Sequence, residues 1–481
     1  MNFRRREKNT HWLPIHIERD PSNDGNRHIN EKESKFIFKE FFSEINCKFI
    51  ITATLAILVL SILFEPIHTR WSINSCKWNK WEHWDKGSDP RRIVLIADPQ
   101  LVDDNSYPGR PWIINYFAQK LSDKYLHKNF IATRDILDPD TFIFLGDLFD
   151  GGREWEDEGW FQEYHRFNSI FPKDPTRRYI QSLPGNHDIG FESINHKAYK
   201  RFQAFFGETN DYIEIGNHTI ILLDTISLSS QDEWLQSRPL RFIENLSSHI
   251  NPYFPRILLT HVPLYRFNDQ QDCGPLRESN KKFPVMKGKQ YQTVIEYDLS
   301  QKILSKINPK IVFSGDDHDY CDVTHSYKYE NENSNAREIT VKSSSMAGGI
   351  KYPALQLLSL NNLFDPTIAK VPQDKVTLQT EICYMPTPFL QFYVFGTTLF
   401  ISIGFYAVYF LFPKLLGKLT NNYHNIIKSN DVLMQYEKLH LAPLSTTSWL
   451  HMRRRKSYMG FLSNSALLVL VTFPLFLYFL T

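Results

Sequence analysis

The sequence predicts an α/β protein with two packed sheets, to which three membrane-spanning helices are added. Short apolar runs alternate with amphipathic, helix-like stretches near 113–137, 156–171, 231–250 and 291–307, which is typical of α/β folds. Three much longer apolar stretches stand outside that alternation. At 481 residues the chain exceeds one ordinary domain and is long enough to bury a large core.

Three segments are apolar enough to cross a bilayer, namely 49–64, 388–412 and 460–480. A crossing helix needs about 20 apolar residues, and fewer suffice where the bilayer is thin. The first segment is short, so a buried core helix is an open alternative there. A cleaved signal peptide fits less well, because a long polar leader precedes the segment.

Basic residues predict the orientation of these helices. They cluster before the first segment, after the second and before the third, at Arg4, Arg5, Arg6, Lys8, Lys414, Lys418, Arg453, Arg454, Arg455 and Lys456. By the positive-inside rule these clusters lie in the cytosol. We therefore expect a polar cytosolic tail over 1–48, a cytosolic loop over 413–459 and a lumenal domain over 65–387.

Several features fit a lumenal position for residues 65–387. The sequons at Asn217 and Asn245 are potential glycosylation sites. One or two disulfides can form in an oxidising lumen from Cys76, Cys273, Cys321 and Cys383, and free buried thiols are the alternative. The net charge is only +2 and no long basic stripe is present, so nothing indicates a nucleic-acid partner.

Five of the short apolar runs stop at side chains that can bind a metal. The runs RIVLIADPQ, TFIFLGDLFD, RYIQSLPGNHD, RILLTHVPLY and KIVFSGDDHD end at Asp98, Asp147, Asn186 with His187, His261, and Asp316 with His318. A sixth run, YIEIGNHTIILLD, predicts a hairpin that turns at Gly216-Asn217. Functional sites in α/β sheets lie beyond the carboxyl ends of the strands, so we expect the five endings to meet at one edge. Close carboxylates repel one another unless a cation neutralises them, and the pattern therefore favours a metal site.

The endings form a recognisable series. In order they are Asp98-Pro-Gln100, Gly146-Asp147-Leu-Phe-Asp150, Gly185-Asn186-His187-Asp188, His261 and Gly315-Asp316-Asp317-His318. Together they resemble the calcineurin-like metallophosphoesterase superfamily, whose pattern is D-x-H, G-D-x-x-D, G-N-H-D/E, a lone His and G-H-x-H. The resemblance covers nearly the whole lumenal segment. It implies a two-sheet sandwich flanked by helices, and a metal-dependent phosphoric ester hydrolase that binds two ions.

The resemblance also implies which residues hold the metals. Asp147 would bridge the two ions, and the remaining ligands would be Asp98 and His318 at one ion and Asn186, His261 and Asp316 at the other. Two positions depart from the family pattern, because Gln100 and Asp316 replace histidines. Both changes substitute oxygen for nitrogen, which favours Mn²⁺, then Mg²⁺, over Zn²⁺. Gln100 would ligate weakly or not at all, and a decayed site is the alternative.

Other residues receive supporting roles from the same resemblance. His187 would be catalytic and face the phosphoryl group, with Asp188 orienting it, and Asp150 would hold a ligand histidine. Arg153 would contact phosphate, or be a solvated loop residue. We expect Asp317 and Asp319 to be solvent-facing loop acids. The small residues 343–349 would form a strand exit, or allow a close approach of the backbone to a ligand.

The motif strings IADPQL, GDLFDGGR, LPGNHD and FSGDDHD, with one apolar span upstream and two downstream, are similar to the mannose–ethanolamine-phosphate phosphodiesterases. This similarity implies removal of ethanolamine phosphate from a mannose of the glycosylphosphatidylinositol (GPI) anchor, in the endoplasmic reticulum or early Golgi membrane. The substrate would be the GPI glycolipid or a GPI-anchored protein, and the fungal form is linked to manganese. Two alternatives are a lumenal phosphatase with another substrate and a non-catalytic manganese-binding protein of ion homeostasis.

Overall fold

The computed structural model describes residues 41–191, 194–267, 269–288, 291–363, 376–415 and 457–480. Most of the expected cytosolic tail and most of the expected cytosolic loop lie outside these residues. Elements are numbered below in chain order.

Two β-sheets form the centre of the fold, which confirms the predicted α/β class. The first contains, from edge to edge, β13 (Leu378–Tyr384), β12 (Ala354–Leu360), β1 (Arg91–Ile96), β2 (Thr141–Phe144) and β3 (Arg178–Ile180). The second contains β10 (Cys321–Tyr329), β11 (Glu332–Thr340), β9 (Ile311–Ser314), β6 (Arg256–Leu259), β5 (His218–Leu222) and β4 (Asp211–Ile215). A short ribbon pairs β7 (Lys287–Gly288) with β8 (Tyr291–Gln292).

Within each sheet, the strands that carry the motifs run parallel to one another. β1 pairs with β2 and β2 with β3 in the first sheet, while β6 pairs with β9 in the second. Parallel strands place their carboxyl ends at the same side of a sheet. The predicted hairpin is confirmed, since β4 and β5 are antiparallel and both turn residues, Gly216 and Asn217, have a positive φ.

Alternate residues of the central strands serve two different cores. Ile93 and Leu95 of β1 pack with Leu259 and Phe313 of the second sheet, whereas Val94 faces the helical layer. This follows from the two-residue period of a strand with both faces buried. The helices among the described residues are α1 (Cys47–Ser75), α2 (Trp112–Leu137), α3 (Asp157–Ile170), α4 (Asn186–Ile189), α5 (His196–Phe206), α6 (Thr225–Leu228), α7 (Glu233–Leu246), α8 (Tyr297–Ile307), α9 (Leu390–Leu411) and α10 (Tyr458–Leu480). The helix expected near 291–307 begins later, because residues 291 and 292 belong to β8.

Within the part of the chain that the structure describes, three helices, α1, α9 and α10, are long and apolar enough to cross a membrane. The short first segment of the sequence belongs to a helix of 29 residues that continues to Ser75. The chain divides into two compact units. One contains residues up to Leu58 and Phe395–Leu475; the other contains Val59–Val394, with both sheets, and the end of α10.

The unit that contains both sheets, called the catalytic unit below because it holds the five motif endings, contains two disulfides. Cys76, just after α1, is bonded to Cys383 in β13, and Cys273 is bonded to Cys321 at the start of β10. Among the described residues Cys47 is a free, exposed cysteine.

Candidate metal centre

Asp98, Asp147 and His261 form a buried cluster beyond the ends of β1, β2 and β6. Their potential ligand atoms all lie within 4.8 Å of one another. The first two strands belong to one sheet and β6 to the other. The endings therefore meet as expected, but between two sheets and not along the edge of a single one.

The surroundings of His261 show why a cation fits here. Its Nδ1 donates to the carbonyl oxygen of Leu145 at 2.7 Å, which leaves the lone pair of the neutral ring on Nε2. Three oxygens surround that nitrogen: Asn186 Oδ1 at 3.2 Å, Asp147 Oδ1 at 3.5 Å and Asp316 Oδ1 at 3.6 Å. Burial opposes a charge on the ring, but the Asp147 carboxylate raises the pKa of His261 well above its usual value. A group of acceptors this close requires a shared proton or a cation.

Asp98 gives a second, independent indication of a cation site. Its Oδ1 accepts from the backbone N–H of Asp316 at 3.1 Å, whereas its buried Oδ2 has no hydrogen-bond partner among the described residues. Burial raises the pKa of Asp98 to about 6. A buried carboxylate oxygen without a partner is costly unless a cation compensates it. The residues present therefore fit a divalent metal.

His318 is oriented by the segment of small residues. Its Nδ1 donates to the carbonyl oxygen of Gly348 at 3.0 Å, so Nε2 of the neutral ring again carries the lone pair. Ser343 Oγ donates to the carbonyl oxygen of Asp98 at 2.9 Å, and the Ser343 N–H donates to the carbonyl oxygen of His318 at 2.9 Å. The segment 343–349 thus supports two of the predicted ligands, a role that the sequence did not identify.

The backbone is strained at most of these positions. Five predicted metal-binding residues have φ between 33° and 70°: Asp98, Gln100, Asp147, Asp316 and His318. A non-glycine residue adopts this region at a cost of about 1–3 kcal/mol, and such residues cluster at functional sites. The turn at Gly185 packs directly against Asp147, because a Cβ at position 185 would overlap the Asp147 carboxylate.

His187 lies beside the cluster and is more accessible, with 29% of its side chain exposed. Its backbone N–H donates to Asp147 Oδ1 at 2.9 Å, and its Nδ1 donates to the carbonyl oxygen of Asp150 at 2.7 Å. The Asp150 carboxylate lies 3.2 Å from the same nitrogen. Burial works against a charge on the ring, but Asp147 and Asp150 together raise the pKa of His187. A protonated ring can therefore present Nε2–H to a substrate.

Asp188 has a different role from the one expected. Its carboxylate accepts from the N–H groups of Gly185 at 2.8 Å, Leu148 at 3.0 Å and Phe149 at 3.1 Å. The structure gives the position beside His187 to Asp150, so the predicted pairing of Asp188 with that ring is wrong. The predicted contact of Asp150 with a ligand histidine is wrong too, because His261 and His318 bond to backbone carbonyl oxygens. Burial raises the pKa of Asp188 to about 7. Asp188 thus joins the second and third motif turns through their backbones.

Gln100 and Arg153 also contact the motif turns. Gln100 Nε2 donates to Asp147 Oδ2 at 3.2 Å, so its amide lies at the cluster. Arg153 Nη1 donates to the carbonyl oxygen of Asn186 at 2.8 Å, and its N–H donates to that of His187 at 2.9 Å. Arg153 therefore braces the turn that carries Asn186 and His187, and is not simply a solvated residue.

Two acids of the last motif are buried, which contradicts the sequence-based prediction. Asp317 pairs with Arg277 at 2.5 Å and its side chain is only 6% exposed, while Asp319 pairs with the buried Lys342 at 3.0 Å. Both acids are covered because the segment that follows Cys273 packs over this loop. Cys273 itself is bonded to Cys321, and the Ser279 N–H donates to Asp319. No pattern in the sequence indicated that the segment after Cys273 would cover these two acids.

The two sequons occupy different environments. Asn217 is partly buried, and its amide donates to the carbonyl oxygen of Asn362 at 2.7 Å. Asn245 lies exposed in the last turn of α7. Glycosylation of either residue stays a prediction.

Comparison with known proteins identifies the class of this chain. The family model described as calcineurin-like phosphoesterase matches residues 91–320, which contain all five motifs. The chain belongs to this family, and it is a metal-dependent phosphoesterase.

Among individual relatives, it is 45% identical over 432 residues to Cell division control protein 1 of Saccharomyces cerevisiae, with 87% of each chain covered. It is 24% identical over 403 residues to Metallophosphoesterase 1 of Xenopus laevis, covering 76% of this chain and 91% of the relative. The structure of a purple acid phosphatase from yellow lupin is similar with a TM-score of 0.37 and 16% identity, covering 62% of this chain and 54% of that one.

Proposed function

We propose that this chain is a membrane-anchored phosphodiesterase that removes ethanolamine phosphate from a mannose of the GPI anchor in the endoplasmic reticulum or early Golgi. The observation that carries the hydrolytic part is the group of oxygens around Nε2 of His261. The similarity of the motif strings to mannose–ethanolamine-phosphate phosphodiesterases supports the substrate. The two disulfides support an oxidising, lumenal location for the catalytic unit.

The residues divide the chemical work as follows. Six residues would hold two divalent ions: Asp98, Asp147, Asn186, His261, Asp316 and His318. When bound, the ions supply a water of lowered pKa and neutralise charge on the phosphoryl oxygens. His187, held by Asp150, would donate a proton to the leaving oxygen, because its raised pKa favours the protonated ring.

Manganese is the proposed metal, with two ions per site. Asp316 offers an oxygen where the family pattern has an imidazole nitrogen, and Gln100 removes a second imidazole, so the set is richer in oxygen donors, which favour Mn²⁺ or Mg²⁺ over Zn²⁺. Elemental analysis of the purified full chain should find Mn²⁺, and activity on a generic phosphodiester should fall in the order Mn²⁺, Mg²⁺, Zn²⁺. A preference for Zn²⁺ would refute the metal assignment without affecting the hydrolase assignment.

The substrate proposal is tested in cells that lack the protein. Their GPI glycans should retain ethanolamine phosphate on a mannose, and wild-type protein should remove it, whereas Asp147→Asn should not. Normal glycans, together with activity on a generic phosphodiester, would point to a lumenal phosphatase with another substrate. Full rescue by the Asp147→Asn variant would point to a non-catalytic, manganese-binding protein.

A further inference from the structure

Helix α2 contacts the ends of all three apolar helices through neighbouring residues. Lys128 forms an ion pair with Glu65 of α1, and the Tyr125 hydroxyl donates to the carbonyl oxygen of Pro386, just before α9, at 2.7 Å. Lys124 Nζ donates to the carbonyl oxygen of Phe479 in the last turn of α10 at 2.5 Å. All of these residues belong to the catalytic unit. α2 therefore lies across the three points where the apolar helices leave a bilayer.

The Lys128–Glu65 pair fixes this placement firmly. The two side chains are only 21% and 16% exposed, and burial lowers the pKa of Lys128 even though Glu65 opposes that shift. Ion pairs that are shielded from water are screened less by salt than surface pairs. The middle of α2 is thus fixed to α1 at the point where the apolar stretch 49–64 ends.

The beginning of α2 exposes large apolar side chains. Trp112 is 76% exposed, Ile113 42%, Ile114 51% and Tyr116 47%. Ile113 precedes Lys124 by about three helical turns and Ile114 precedes Lys128 by about four, so both isoleucines share the face that contacts the apolar helices. The core residues of α2, including Leu126, are on the opposite face.

A cavity continues the same face of α2 past Lys128. It has a volume of about 380 Å³ and lies between α1 and α2, with Ile131 and Ile136 in its wall. Its charged lining residues are the basic Arg70, Lys124 and Lys128 and the acidic Glu65 and Asp135, and Glu65 is already paired with Lys128. Thr69 also lines it, and its buried Oγ1 has no partner among the described residues. Apolar walls with cationic and hydroxyl groups suit a phospholipid headgroup and its upper chains better than a second protein surface.

We propose that the first turns of α2, residues 112–116, insert into the interfacial layer of the lipid bilayer. Tryptophan, tyrosine and aliphatic side chains are typical of that layer, and the contacts of α2 with the three apolar helices place this face at its level. The loop after Gln100 leads directly into α2. The metal centre is thereby kept close to the membrane, within reach of phosphate esters presented at its surface.

The test uses the full chain in phosphatidylcholine vesicles, loaded with Mg²⁺ so that it carries no paramagnetic metal. A nitroxide label is attached at Ile113→Cys in a Cys47→Ser background, and its collisions with oxygen, which enriches in lipid, and chromium oxalate, which stays in water, are compared. We expect several-fold more collisions with oxygen relative to chromium oxalate at position 113 than at the control, Tyr253→Cys, an exposed aromatic position on the loop before β6.

Equal accessibility at positions 113 and 253 would overturn the proposal. Shielding of position 113 from both reagents would also overturn it, because another protein surface would then cover α2. Each labelled variant must hydrolyse a soluble phosphodiester at the wild-type rate, and Ile114→Cys provides a second position on the same face if Ile113→Cys does not fold.

Discussion

At the residue scale, both carboxylate oxygens of Asp147 accept hydrogen bonds. Oδ1 accepts from the His187 N–H, Oδ2 accepts from Gln100, and its neighbour His261 holds the pKa of Asp147 below the usual range against the effect of burial. The carboxylate is therefore kept ionised at the centre of the cluster.

Replacement of Asp147 by Asn should abolish both metal binding and hydrolysis. The neutral amide keeps the shape but loses the charge that would bridge two cations. We expect the turnover of a generic phosphodiester to fall by more than about 100-fold, beyond the usual cost of losing a partner that only supports a ligand. Elemental analysis should show loss of bound metal. Asp269→Asn, at an exposed aspartate paired with Lys282, is the matched control, and an unchanged metal content in Asp147→Asn would contradict this prediction.

Replacement of Asp150 by Asn should affect His187 without removing metal. The carbonyl oxygen of residue 150 still orients the ring, so we expect only about a 10-fold lower turnover, below the full contribution of a general acid. Loss of the carboxylate lowers the pKa of His187, so the alkaline limb of the pH–rate profile should move to lower pH. Asp104→Asn, at an exposed aspartate on a nearby loop, should leave the profile unchanged. A shift of the limb to higher pH would refute this role.

The sequence predicted which side chains meet at the centre, but not all of their partners. Asp98, Asp147 and His261 could be found because each follows an apolar run, and strand ends of this class converge. The partner of His187 depends on which turn lies next to it in space: the family resemblance assigned that role to Asp188, whereas the structure gives it to Asp150. That the convergent residues bind metal stays a prediction.

At the scale of elements, Glu338 of β11 joins β9, β10 and the loop that follows β6. Its fully buried carboxylate accepts from Arg266 Nη2 at 3.0 Å, His325 Nε2 at 2.6 Å and Ser314 Oγ at 2.7 Å. Burial alone would raise its pKa, but Arg266 and His325 outweigh that effect and lower the pKa of Glu338 to about 2. Ser314 ends β9, the strand that leads into the last metal motif.

Glu338→Gln should destabilise the catalytic unit by about 3–5 kcal/mol at neutral pH, because it leaves the buried Arg266 without its counter-charge. The pKa of Glu338 is depressed in the folded state, so its contribution is complete above pH 4.5 and is lost as the pH falls towards 2. The thermal unfolding temperature of the purified wild type should therefore exceed that of the variant by less and less as the pH is lowered from 7 to 3. Glu332→Gln, at the exposed start of the same strand, should unfold like wild type. A difference in unfolding temperature that widens on acidification would refute the role of Glu338 as the ionised partner of Arg266.

The helices α2, α3, α7 and α8, the hairpin and the strands that carry the motifs were predictable, whereas α5, β10, β12 and β13 were not. Buried parallel strands such as β2 are continuous apolar runs, and these are easily recognised. β10 instead alternates buried and exposed residues, and its polar positions conceal it among loop-like sequence. β8 interrupts the expected beginning of α8 because tertiary pairing with β7 overrides the local helical pattern.

At the scale of the whole molecule, the two disulfides join segments that are distant along the chain. Cys76 and Cys383 are separated by 307 positions, and together they connect the end of α1 to the last strand of the first sheet. Crosslinks between distant residues stabilise by about 2–5 kcal/mol, in large part by restricting the unfolded chain.

Alkylation should therefore distinguish the cysteines of the folded protein. Without reduction we expect iodoacetamide to modify Cys47 alone, and peptide mass mapping should recover Cys76 linked to Cys383 and Cys273 linked to Cys321. Labelling of all five cysteines before reduction would show that the protein matures in a reducing compartment, against the lumenal assignment.

The left-handed backbone at the candidate metal centre has a consequence for the history of such chains. Glycine in place of Asp98, Asp147 or Asp316 would relieve the backbone strain, yet it would remove a carboxylate that is proposed to bind metal. A descendant released from catalysis would gain stability by drifting to glycine at these positions. Several such glycines in an otherwise similar homologue would indicate that it has lost its catalytic activity.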